Sequence, residues 1–81
     1  MPVVTIYAKP GCHLCEEAHE VLEGLRAERE FELREVDVTL DPVLFARYGE
    51  RIPVVALDGR ELFEYFVDPV ALRERLDRVE P

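Results

Sequence analysis

The chain has 81 residues, 48% hydrophobic and 35% charged, the make-up of one ordinary globular domain and too little chain for two. Its net charge is −8, with one lysine against nine arginines, so it lacks the basic footprint that nucleic acid or an anionic membrane surface requires. No run approaches the roughly 18 apolar residues of a membrane span, and the opening MPVVTIYA has no basic n-region or long apolar stretch, so no signal peptide is expected and a cytoplasmic location is.

Val3 to Tyr7 is β-branched and aromatic and reads as a first strand, with Val3 and Val4 both apolar as expected where both faces are covered. A Pro10-Gly11 break follows. Leu14, Ala18, Val21, Leu22 and Leu25 then fall at helical spacing, with Glu16, Glu17, Glu20 and Glu23 on the other side, and the helix is expected to end near Arg29. A second strand spans Phe31 to Val38; its alternation slips between Leu33 and Val36, so a bulge or a late strand start is expected there. Asp41-Pro42 supplies an N-cap and a proline at the first helical position. The short helix from Val43 to Tyr48 stops at Gly49, which is suited to a left-handed C-terminal position.

Ile52 to Leu57 is a third strand, Asp58-Gly59 a two-residue hairpin turn, and Arg60 to Phe63 the returning strand. Asp68-Pro69 repeats the cap signal, and Val70, Leu72, Leu76 and Val79 are expected to line one side of a last helix. Phe63, Tyr65 and Phe66 are read as core and hairpin packing, with one of them available to shape the groove wall. The order βαβαββα over residues 1–81 predicts a single domain, a four-stranded mixed sheet flanked by helices.

The only two cysteines, Cys12 and Cys15, sit at the head of the first helix. A structural disulfide closing so short a loop removes little unfolded-state entropy, about 2 kcal/mol, and an intracellular setting disfavours it. A metal or iron–sulfur site would draw on Cys12, His13, Cys15 and His19, but structural zinc usually needs a second ligand pair far along the chain. A cycling dithiol has the stronger logic. The helix N-terminus offers unsatisfied N–H groups and partial positive charge that favour a Cys12 thiolate, and Cys15, one turn on, can attack a mixed disulfide. Lys9 and a protonated His13 favour that thiolate, whereas Glu16 and Glu17 oppose it. Ile52-Pro53 at the start of an interior strand needs a positional reason. A cis bond there would leave the Ile52 backbone free to pair with a substrate lying across Cys12.

Tyr7-x-Lys9-Pro10-Gly11-Cys12-x-x-Cys15, followed by Ile52-Pro53-Val54-Val55, resembles the glutaredoxin family, and most closely its small bacterial members with a C-x-L-C centre. The resemblance implies a thioredoxin-like α/β fold with strand order 2-1-3-4. It also implies Cys12 as nucleophile, Cys15 as resolving thiol and Pro53 as the cis-proline. Lys9, Ile52, Pro53 and Arg51 are the implied substrate-binding residues. Two departures weigh against glutathione dependence. His13-Leu14 stands where glutaredoxins carry Pro-Tyr, and Glu61 to Asp68 stands where they carry Gly-Gly-x-Asp.

Together the residues and the resemblance predict a monomeric thiol–disulfide oxidoreductase with no bound cofactor. Its substrates would be protein or low-molecular-weight disulfides, and its reductant either glutathione or a thioredoxin reductase. The alternatives are a redoxin-type electron donor, a non-catalytic metal or iron–sulfur binding protein, and an adaptor with idle thiols.

Overall fold

A computed structural model describes residues 1–78. The elements follow in the order β1 (Val3–Ala8), α1 (His13–Arg26), β2 (Glu32–Asp37), α2 (Pro42–Tyr48), β3 (Val54–Leu57), β4 (Arg60–Glu64) and α3 (Pro69–Arg78), with a single 3-10 turn at Val38–Leu40. The sheet order is β2-β1-β3-β4. β1 runs parallel to β2 and antiparallel to β3, and β4 returns antiparallel to β3 through the hairpin. The four-stranded mixed sheet is the one the sequence predicts, and its strand order is the one the family resemblance implies.

Alternation along β1 explains how the sheet is covered. Val4, Ile6 and Ala8 are buried on one face with Leu22 and Leu25 of α1 and Leu72 of α3 in one cluster. α1 and α3 contact each other. Arg29 reaches Asp77 through two hydrogen bonds (2.7 and 3.4 Å) and Arg73 reaches Glu28 at 3.1 Å, tying α3 to the end of α1. The opposite face carries Val3, Thr5 and Tyr7, all only half-buried. The seven residues of α2 are too short to cover it, so the full two-sided cover expected for β1 is not reached. β3 is the strand buried throughout.

Four further expectations are corrected. β2 pairs with β1 in unbroken register from Val3↔Glu32 to Ala8↔Asp37, with neither the bulge nor the late start that the slip allowed. The slip in its apolar pattern marks an edge strand with few buried positions, and the ladder irregularity lies between Val55 and Ala56 instead. Gly49 is right-handed (φ −52°, ψ −31°). A Cβ there would lie 2.5 Å from the Phe45 carbonyl oxygen, so close approach and not a left-handed turn favours glycine. Val70 is exposed: two residues from Leu72 is about 200° around the helix, so it faces away from the stripe formed by Leu72 and Leu76. Tyr65 and Phe66 lie outside the core, as described below. Val79 lies outside the described residues.

Candidate active site

The site forms where the C-terminal end of β1 meets the N-terminal end of β3. Pro10 and Gly11 turn the chain out of β1 and deliver Cys12 as the N-cap of α1. The Cys12 sulfur accepts a hydrogen bond from the Cys15 N–H at 3.2 Å, taking up one of the donors that a helix start leaves unpaired. The sulfurs of Cys12 and Cys15 are paired, with Cα atoms 5.2 Å apart, inside the span a disulfide bridges. The two are unequal in access. Cys12 is half-buried, whereas Cys15 is 4% exposed and belongs to the core cluster. The first helical turn therefore offers one sulfur outward and keeps the other inside.

β3 brings its start to the same end of the sheet, because Tyr7 pairs with Val54. The Ile52–Pro53 peptide bond is cis. Both residues are buried, and the ladder to β1 begins only at Val54, so Ile52 stands outside the strand pairing. On the far side Pro53 is joined to the end of β4: the Tyr65 N–H donates to the Pro53 carbonyl at 2.8 Å. Tyr65 has φ +67° and the Phe66 N–H donates to the Glu64 carbonyl at 2.7 Å, a tight turn that ends the strand alternation. That turn carries Phe66 outward, 69% exposed, and leaves Tyr65 on the rim with its hydroxyl donating to the Glu50 carbonyl (3.0 Å). Of the three aromatics read as core, only Phe63 packs against it.

The two expected cationic substrate ligands differ in state. Arg51 Nη1 donates to Glu61 Oε1 and Glu64 Oε1, both at 2.9 Å, and Nε and Nη2 donate to the Arg47 carbonyl. Its guanidinium also lies over the Tyr48 ring, 5.3 Å from the centroid. The carboxylates hold it protonated, raising its pKa further. Lys9 lines a cleft of ≈ 540 Å³ whose wall includes Cys15. The same cleft is lined by Glu16, Glu20, Glu35 and Asp37.

The histidines do not join the cysteines in a ligand set. His13 points to solvent with its Nε2 3.8 Å from Glu17, and His19 leans toward Glu35 (3.5 Å) and Glu23 (3.8 Å). The described residues contain no group of three or more His, Cys, Asp or Glu placed to hold a metal ion. Arg51's ion pairs leave no signal in the sequence. Its partners lie ten and thirteen residues away, and only the β3–β4 hairpin brings them back.

A paired C-x-x-C at the head of the first helix of a four-stranded β2-β1-β3-β4 sheet defines a thioredoxin-like dithiol protein. The chain belongs to the glutaredoxin-like domain family, whose family model matches residues 3–77. Uncharacterized proteins of Mycobacterium bovis and Mycobacterium tuberculosis are each 38% identical to it over 82 residues, covering 95% of this chain and 84% of the relative. Protein Ne2328 of Nitrosomonas europaea, solved in solution, superposes with a TM-score of 0.81 at 31% identity, covering 93% of this chain and 91% of that one. The structure of protein XcR50 from X. campestris gives 0.74 at 36% identity, covering 95% and 99%. A thioredoxin variant from Halobacterium salinarum (TM-score 0.70, 24% identity, 99% and 78% covered) shares the fold.

Proposed function

We propose that this protein is a cytoplasmic thiol–disulfide oxidoreductase that works as a monomer and without a bound cofactor. The observation that supports this best is the arrangement of the two sulfurs, one accepting an N–H at a helix N-terminus and the other buried one turn behind it. In the reduced protein the Cys12 thiolate attacks a substrate disulfide, breaks its S–S bond and expels one thiol. Cys15 then attacks the Cys12 sulfur of the mixed disulfide, releases the second thiol and leaves the Cys12–Cys15 bridge. The N–H donor and helix dipole favour the Cys12 thiolate over the thiol. Burial of Cys15 keeps incoming disulfides away from it and reserves it for the resolving step.

A dithiol must regenerate the reduced form. Thioredoxin reductase is the better candidate, because Arg51 is occupied and no Gly-Gly segment follows β4 to admit a glutathione carboxylate. The test is turnover of a small mixed disulfide by wild type, Cys12→Ser and Cys15→Ser, driven by glutathione in one arm and by NADPH with thioredoxin reductase in the other. Turnover in the reductase arm, lost in both variants, is expected. If neither arm reduces the bridge at any useful rate, the thiols are idle and the proposal fails.

A further inference from the structure

Resting on the thiol exchange just proposed, we infer that the site selects disulfides flanked by positive charge over anionic ones, and that Glu61 and Glu64 impose this choice by occupying Arg51. An anionic disulfide approaching Cys12 beside Pro53 would need a cation to meet it. On the β4 side that cation is Arg51, and its three guanidinium nitrogens already donate to Glu61, Glu64 and the Arg47 carbonyl. Arg47 also lies 3.8 Å from Glu61, so two guanidiniums and two carboxylates balance on that wall and leave no net positive charge for an anion. Beside Cys15, Lys9 and His19 face four carboxylates, Glu16, Glu20, Glu35 and Asp37, in one cleft. One side of the site therefore offers a carboxylate no net attraction, and the acidic cleft on the Cys15 side repels a carboxylate and attracts an ammonium group.

These carboxylates are solvent-accessible, so the discrimination is an encounter-rate effect that reaches about 8 Å at physiological ionic strength and fades as salt is added. A purely structural role for the Arg51 pairs would produce neither charge selection nor salt dependence.

The experiment is a single turnover, which needs no external reductant. The pre-reduced chain passes two electrons to the disulfide, ends as the Cys12–Cys15 bridge and releases two thiols. The probes are cystamine (cationic), hydroxyethyl disulfide (uncharged) and glutathione disulfide (anionic). Each rate is divided by that probe's rate with dithiothreitol to remove intrinsic reactivity. Cystamine is expected to exceed glutathione disulfide by about tenfold at low salt, with the ratio closing toward one at about 1 M salt. In E61Q/E64Q the ratio should fall by roughly threefold or more, because the freed Arg51 speeds glutathione disulfide more than the uncharged probe. Should the double variant not fold, E64Q alone, isosteric at the end of β4, should move the ratio the same way. A ratio near one at low salt, insensitivity to salt, or no change in the variants would overturn the inference while leaving the exchange activity standing. Failure to reduce even hydroxyethyl disulfide would instead remove the activity itself, and the inference with it.

Discussion

Tyr7 of β1 and Tyr48 of α2 stack with ring centroids 4.1 Å apart and 16° between their planes, and the guanidiniums of Arg47 and Arg51 lie over Tyr48 at 5.4 and 5.3 Å. Burial, followed by the neighbouring Tyr48 hydroxyl, pushes the Tyr7 phenol above its ordinary value. A group with a raised folded pKa contributes stability that is complete below the unfolded value, near about 10 for a phenol, and lost as pH rises through the folded one. The urea midpoint should therefore fall on passing from about pH 9 to pH 11, and Tyr7→Phe should flatten that fall. An equally steep fall in Tyr7→Phe would assign it to other groups. Much at this scale was legible, since a C-x-x-C after a strand and a Pro-Gly break can be recognised from order and spacing alone. What stayed hidden were the pairings that depend on chain reversal. Arg51 looks free in the sequence because Glu61 and Glu64 reach it only through the hairpin. Tyr65 looks like a strand residue because nothing in an aromatic side chain announces a φ of +67°.

The elements were legible where their ends carry polar signals. Asp41 accepts from the Val43 N–H at 2.8 Å ahead of Pro42, and Asp68 accepts from the N–H groups of Val70 (2.9 Å) and Ala71 (3.2 Å) ahead of α3. Both caps were readable as Asp-Pro. Asp58 and Gly59 have φ of +49° and +86°, the doubly left-handed turn that matches strand twist. β2 was less legible because an edge strand with few buried positions keeps only a weak alternation, so its pattern looked broken while its register was intact. The cap on α3 gives the prediction at this scale. Asp68→Ala should cost about 1 kcal/mol in urea unfolding, and Asp68→Asn much less, because asparagine keeps the acceptor. Equal losses in the two variants would mean that the carboxylate's charge, and not its hydrogen bonds, matters there.

The whole molecule folds a charge of −8 into a radius of gyration of 12.1 Å. Its ion pairs are mostly exposed, and such pairs contribute about 0–1 kcal/mol each, with salt weakening them. Self-repulsion of the net charge acts on every residue and is screened by the same salt. Repulsion should win. The melting temperature is expected to rise by a few degrees between about 10 mM and 200 mM salt, as scanning calorimetry would read it. A fall over that range would mean the pairs between α1 and α3 outweigh it.

Asp58 does more than turn the hairpin. Its N–H donates to the Val3 carbonyl (2.8 Å) and its carboxylate accepts from the Val3 N–H (2.9 Å), latching the turn onto the start of β1. β1 carries the chain from that latch toward Cys12 over six residues, about 20 Å of extended strand. The thiols and the turn thus occupy opposite poles of the sheet. A linker or surface anchor attached at the turn would hold the molecule with its reactive sulfur facing outward. Such an oriented film on an electrode would present every Cys12 to solution, where a randomly adsorbed one would hide a share of them.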